Sequence, residues 1–229
     1  MVVQARTGSN RLPGKVLRPL AGIPMLSRVI IRLRHCKSPN QLVLATSTAG
    51  RDDPVAALGE NMGVQVFRGS ELDVLDRFLR CAEAYSLDHV VRATADNPFV
   101  DWEEADRLMD FHLKNDLAYS SSFPEFGSGL PIGVGVEVIT RDALERAWRA
   151  SSQPHHREHV NEYIQERPGE FTQACLTAPP EKQAPTLRLT VDTLDDFSFA
   201  ERLHELYLAD SGQGEPGTQW LIHSASKLA

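Results

Sequence analysis

Cysteine is scarce in this sequence. Cys36, Cys81 and Cys175 lie far apart among 229 residues, with no CxxC spacing. An odd count without a framework excludes a disulfide-stapled fold and points to a reducing compartment. Cys36 and Cys81 fall in helix-like runs and read as small buried hydrophobes. Long apolar runs are missing too: none approaches the ~20 residues that span a bilayer, and no signal-peptide core opens the chain. The expectation is a cytoplasmic protein with no membrane attachment. Trp102, Trp148 and Trp220 are too dispersed to form a base-stacking array. A net charge of −7 argues against nucleic acid as a partner. Acidic residues are absent from 6–37, where Arg and Lys are frequent, so the positive charge is local.

What is present is an alternation of strand-like and helix-like segments. Val2–Ala5, Leu42–Thr46, Val64–Phe67 and His89–Thr94 read as strands. Met25–Leu33, Pro54–Met62, Leu72–Tyr85 and 102–113 read as helices. That rhythm predicts βαβ units, a mainly parallel sheet, and loops gathered on the rim at the strand carboxyl ends. The stretch 119–131, rich in Ser, Pro and Gly, reads as a mobile loop and a lid. Beyond it the pattern gives strands at 133–139, 171–176 and 187–191, and helices at 141–150, 155–166 and 195–209. The length suits one α/β domain over 1–229 with a smaller inserted region. The chain opens directly on its first strand, which leads one to expect a few residues upstream.

The strongest chemical signal is the loop Gln4-Ala5-Arg6-Thr7-Gly8-Ser9-Asn10-Arg11-Leu12-Pro13-Gly14-Lys15. It leaves a buried strand and is expected to enter a helix, whose free N–H groups and positive end favour an anion. Arg6, Arg11 and Lys15 add fixed charge, and guanidinium suits bidentate phosphate contacts. A Walker A loop is excluded: five residues separate Gly8 from Gly14 where four are required, and Val16 stands where Ser or Thr would hold magnesium.

Two acids follow strand-like runs. Asp96, in Arg92-Ala93-Thr94-Ala95-Asp96-Asn97-Pro98, is either a magnesium ligand beside phosphates or part of an ordinary Asp-Asn-Pro turn. Asp192, in Thr190-Val191-Asp192-Thr193, is either a second metal ligand or a helix N-cap. His155-His156-Arg157-Glu158-His159 fits H-x-x-E-H, which admits a zinc peptidase, although no third ligand is apparent. Arg77 lies on a charged helix face and is within reach of a ligand from the helix start. Glu137 is out of place in a Val/Ile strand, so it sits on a polar face or serves as an acceptor in the site.

The run Gln4–Lys15 resembles the A-R-x-x-S-x-R-L-P-x-K signature of the sugar-acid cytidylyltransferases. The likeness is to the branch of the spore-coat polysaccharide biosynthesis protein F, related to 3-deoxy-manno-octulosonate and acylneuraminate cytidylyltransferases. Thr94–Pro98 resembles that family's T-G-D-x-P block, with Ala95 in place of Gly. Thr190–Thr193 with Asp195-Asp196 resembles its x-V-D-T-P-E-D block, with Leu194 where Pro is common. The resemblance covers the chain to about Ala209. It implies a three-layer Rossmann-like fold of the nucleotide-diphospho-sugar transferase (GT-A-like) kind. It also implies CMP transfer from CTP to a sugar acid or related polar acceptor, with Asp96 and Asp192 on Mg2+. Arg6, Arg11 and Lys15 are then expected on the phosphates, with Ala5, Ser9 and Arg77 near the nucleotide. Glu137, Glu158 and His159 are expected to line the acceptor pocket. Residues 119–178 would form a substrate and dimerisation region of a homodimer. The neighbouring enzyme class, a glycosyltransferase of like fold, typically carries D-x-D, which neither Asp96 nor Asp192 begins. A nucleotide-sensing protein without activity would lack Lys15 or Asp96, and both are present.

Overall fold

The computed structural model describes residues 1–228. Seven strands form one sheet in the order β5-β4-β1-β6-β8-β7-β9. They are β1 (Val2–Gln4), β4 (Val43–Ser47), β5 (Gln65–Gly69), β6 (His89–Thr94), β7 (Tyr119–Ser121), β8 (Glu137–Thr140) and β9 (Gln173–Cys175). β2 (Pro19–Leu20) and β3 (Ile23–Pro24) make a separate two-strand hairpin. All pairings in the main sheet are parallel except those of β8, which runs antiparallel to β6 and β7. All five residues of β4 are buried, as both faces of a central parallel strand are covered.

The helices are α1 (Met25–Leu33), α2 (Asp53–Asn61), α3 (Val74–Ala84), α4 (Trp102–Lys114), α5 (Arg141–Ala150), α6 (Pro154–Glu158), α7 (Glu162–Gln165), α8 (Leu194–Ser211) and α9 (Thr218–Leu228). One apolar cluster joins Leu26, Val29 and Ile30 of α1 to Leu108 of α4, Leu203 of α8 and Leu221 of α9. A second joins Leu75, Phe78 and Leu79 of α3 to Leu144 of α5 and Ile164 of α7. Two helical layers thus enclose the sheet, the expected α/β architecture. The chain runs from β1 outward to β4 and β5, then returns to place β6 on the other side of β1. The order therefore reverses beside β1, and the crevice beyond the carboxyl ends of β1 and β6 is where such sheets receive ligands.

Several expectations are corrected. No helix starts at the Arg6–Lys15 loop. Lys15–Leu17 is a single 3-10 turn, and α1 begins only at Met25. Gly14 at φ 68° and the Ala21-Gly22 turn at φ 46° and 90° direct the chain into the hairpin first. A helix dipole therefore does not act on this loop. Residues 119–131 are not a free lid: 119–121 form β7, and Ser120, Ser121, Ser122 and Ser128 are buried. Serine is small enough to bury and meets its polar needs locally. The Ser122 hydroxyl accepts from Val136 N at 2.9 Å and donates to Val136 O at 3.0 Å. The expected helix 155–166 is broken into α6 and α7, because Val160 turns inward to full burial. Residues 187–191 stay outside the sheet, with one bridge between Ile132 and Arg188. The strand at 133–139 pairs only from Glu137. Helix α9 has no counterpart among the elements expected from sequence.

The basic run also divides. Arg28 and Arg32 are interior: Arg32 donates to Val100 O and Pro216 O, both at 2.8 Å, and Arg28 Nη1 meets Glu215 at 2.9 Å. These side chains tie α1 to the segment before α9. The ligand-facing charge is left to Arg6, Arg11 and Lys15.

Candidate functional site

The rim beyond β1 and β6 opens into a cleft of about 350 Å³, within the range of small-molecule sites. Ala5, Arg6, Ser9, Arg11, Lys15, Asp96 and Asp192 line it, with Gln4, Arg92 and Thr94 on the sheet surface below. Seven of the expected residues are therefore brought together. Four cationic side chains face two carboxylates, a balance that suits a metal-bound polyanion.

The loop is shaped from both ends. Asp52 is buried, and its carboxylate accepts from Thr7 N and from Thr7 Oγ1, each at 2.7 Å, and from Ser47 Oγ. Burial works against its charge, but the hydrogen bonds from Ser47 and Thr7 outweigh it and hold the acid below the ordinary aspartate range. At the other end Gly14 N donates to Thr7 O at 3.0 Å, and Leu12 and Val16 anchor in the core. Ser9 Oγ accepts from Leu12 N at 3.3 Å. Asp52 was legible only as an acidic helix start. Its partner Thr7 is 45 residues away, and nothing local signals the contact.

Lys15 is the centre of the site. Its ammonium, nearly buried, donates to Asp96 Oδ2 at 3.1 Å, Asp192 Oδ1 at 3.0 Å and Val191 O at 2.7 Å. Arg11 Nη2 reaches Asp192 Oδ1 at 2.7 Å, and Arg188 Nη2 reaches Asp192 Oδ2 at 2.6 Å. Burial of Asp192 opposes ionisation, but Lys15, Arg11 and Arg188 together keep its carboxyl below the usual range. Asp192 does not cap α8: Thr193 does, in a capping box with Asp196. The Asp192 carboxylate is thereby free for the cleft. Asp96 lies in the turn after β6, and its main-chain carbonyl accepts from Val191 N at 2.8 Å, which joins the two acidic segments. Gly133 makes this approach possible, since a Cβ there would lie 2.4 Å from Thr190 N. Two carboxylates already gathered around one cation are hard oxygen donors, the set that magnesium takes.

The remaining expected residues lie elsewhere. Arg77 is wholly buried against Gly69, outside the cleft lining, and its Nε and Nη2 have no hydrogen-bond partner among the described residues. Burial, then the nearby Arg6, lowers its pKa to about 10. Glu137 is fully buried and pairs with Arg92. Glu158 is exposed, 3.8 Å from Arg6 at the cleft mouth. His159 is exposed, 4.0 Å from Glu162. The H-x-x-E-H triad does not converge: His155 and His156 turn instead to Glu166, at 3.6 and 2.9 Å. Arg92, a cleft residue, went unremarked because one arginine in a strand carries no local signal.

A family model described as cytidylyltransferase matches residues 1–215. The chain is 37% identical over 209 residues to the spore coat polysaccharide biosynthesis protein SpsF of Bacillus subtilis, covering 89% of this chain and 85% of that one. A cytidylyltransferase structure from Leptospira borgpetersenii superposes with a TM-score of 0.89 at 30% identity, over 99% of this chain and 93% of the other. CMP:2-keto-3-deoxy-manno-octonic acid synthetase, solved with CTP, shares the fold at a TM-score of 0.66 and 17% identity, over 90% and 98% of the two chains.

Proposed function

The chain belongs to the cytidylyltransferase family, and on that premise we propose that it transfers CMP from CTP to a sugar acid in surface polysaccharide biosynthesis. The observation that carries the site assignment is the convergence of Lys15 with Asp96 and Asp192, from segments 81 and 177 residues away. The acceptor class is suggested by the name of the octonic acid synthetase and by the sequence motifs.

An acceptor hydroxyl attacks the α-phosphorus of CTP in line. The new bond is acceptor oxygen to α-phosphorus, the hydroxyl proton passing to solvent; the bond that breaks joins the α-phosphorus to the bridging oxygen, and pyrophosphate leaves with that electron pair. Negative charge grows on the α-phosphate and on the departing group, so positioning and fixed positive charge carry the catalysis. Arg6, Arg11 and Lys15 meet the phosphates from the loop, and the backbone at Ala5 with Ser9 contacts phosphate or base. Asp96 and Asp192 would hold Mg2+, which when bound neutralises phosphate charge. Arg77, wholly buried, does not reach the nucleotide; it donates to Ser70 O at 2.5 Å and so braces the segment whose Glu71 carbonyl accepts from Arg6. Glu158 approaches the cleft only through Arg6, at 3.8 Å, and His159 faces Glu162 instead, so neither lines the acceptor side of the cleft.

We assign residues 119–178 to acceptor contact and to the interface of a homodimer, which light scattering tests. No helix among the described residues is long and apolar enough to cross a membrane. Cytoplasmic residence, where CTP is made, is consistent with three free thiols. The test of the activity is a pyrophosphate-release screen of CTP, ATP, GTP and UTP against sugar acids and polar alcohols. Release with CTP and a sugar acid is expected. Release only with an uncharged acceptor, or only with another nucleotide, overturns the reading.

A further inference from the structure

Arg92 projects from β6 onto the sheet surface that floors the cleft. In the ladder it stands directly opposite Glu137 of β8. Its Nη1 donates to Glu137 Oε1, its Nε donates to Gln4 Oε1 at 3.3 Å, and its guanidinium lies 5.7 Å from the Phe78 ring centre. Its Nη2 has no hydrogen-bond partner among the described residues. Glu137 is fully buried, and its second oxygen accepts from the Tyr119 hydroxyl at 2.6 Å. The Tyr119 oxygen accepts in turn from Gln165 Nε2 of α7 at 2.6 Å. A file of hydrogen bonds therefore runs from α7 through β7 and β8 to one arginine in the cleft.

Fold stability gives little reason for this file. A buried ion pair rarely outperforms apolar residues of the same volume, and the flanking positions are the apolar Val91, Ala93, Val136 and Val138. What the arrangement does is fix a guanidinium in the cleft lining with Nε and Nη1 tied and Nη2 left as its one uncommitted donor. The phosphate-binding cations Arg6, Arg11 and Lys15 all come from the loop after β1. Arg92 instead rises from β6 and is held by Glu137 of the antiparallel β8, so its remaining donor, Nη2, is available to an anion other than the triphosphate.

We infer that Arg92 is the specificity-determining residue for the carboxylate of the acceptor, and that Glu137 and Tyr119 are positioning residues that hold it. This rests on the sugar-acid reading above and adds the group that recognises the acid. Glu137 then acts through Arg92 and does not itself line the acceptor pocket.

The test measures pyrophosphate release with CTP, using 3-deoxy-manno-octulosonate and other sugar acids, each beside a neutral sugar of similar size. Wild-type protein and Arg92→Met are compared, with the double variant Arg92→Met/Glu137→Gln guarding against an unpaired buried carboxylate. Loss of one charge-assisted contact is expected to raise KM for the acid roughly 10- to 100-fold, with KM for CTP within about twofold. Glu137→Gln and Tyr119→Phe, which leave Arg92 in place, are expected to raise the acid KM by roughly 3- to 10-fold while its selectivity over the neutral sugar falls. A merely structural role would lower Tm and leave that ratio unmoved. An unchanged acid KM in the double variant, or an equal rise in KM for CTP, overturns the inference and leaves the sugar-acid reading standing. If wild-type protein turns over no acid at all, that reading fails, and the inference with it.

Discussion

Replacing Lys15 with Met removes the one cation shared by both site carboxylates while keeping most of the side chain's volume. Each carboxylate oxygen lies about 3 Å from the ammonium, so the two are at most about 6 Å apart. Like charges at that separation repel by roughly 3 kcal/mol at the effective dielectric of a partly buried pair. Asp96 is a third exposed, and Arg11 and Arg188 still serve Asp192, so screening trims the cost to about 1–2 kcal/mol. In a chain of this size that corresponds to a Tm lower by about 3–6 °C. Magnesium should restore much of this, because a divalent cation supplies the missing counter-charge and stabilises whatever binds it. Turnover should not return: the ammonium meets the phosphates as well, and its loss costs ~10²–10³ in kcat. The assay is thermal unfolding of Lys15→Met and wild-type protein across a magnesium titration, beside pyrophosphate release. A variant as stable as wild type, with no greater response to magnesium, would refute the claim that Lys15 holds the acidic pair together.

Asp52→Asn should loosen the phosphate loop, raising KM for CTP about tenfold and lowering stability by about 1–2 kcal/mol, measured by kinetics and denaturant titration. The Asp52 carboxyl is held below its ordinary value, so its stabilisation is full above about pH 4 and is lost as pH falls further; Asp52→Asn should flatten that limb of the Tm profile. Gly133→Ala forces a methyl group into Thr190 and displaces the segment carrying Asp192. It should cost about 2–4 kcal/mol by unfolding and lower kcat, and full activity would contradict the geometry. Burial, then Arg28 and Arg32, lowers the His204 pKa to about 2, and burial, then His89, lowers that of His112 to about 4. The unfolded chain protonates first, so stability is full above about pH 6.5 and falls by roughly 1.4 kcal/mol per pH unit for each histidine below it. His204→Phe should remove one such contribution, read as a shallower loss of Tm between pH 6.5 and 4.

The parallel half of the sheet was legible because β1, β4 and β6 are apolar runs between helix-period segments. The rim was legible for the same reason, whereas the residues alone left Asp96 and Asp192 open as a turn and an N-cap, and only the family resemblance joined them to Lys15. The antiparallel half was harder. Composition alone read residues 119–131 as mobile, yet their serines are buried and satisfied: Ser120 by His112, Ser121 by Phe123 N, Ser122 by Val136 and Ser128 by Leu130 N. The same limit hid Asp52 and Arg92, whose meaning comes from Thr7 and Glu137 across long stretches of chain. The helix expected after the phosphate loop failed because Gly14 and Gly22 redirect the backbone. Propensity over a short window does not register that turn.

In the proposed reaction one cleft holds the triphosphate on Arg6, Arg11 and Lys15 and a divalent cation between Asp96 and Asp192. Crystals grown with CTP and manganese, a magnesium surrogate with usable anomalous scattering, test it directly. An anomalous peak touching both carboxylates is expected, with the phosphates on the loop and the Lys15 ammonium turned towards them. A peak elsewhere, or a triphosphate bound away from that loop, would contradict it.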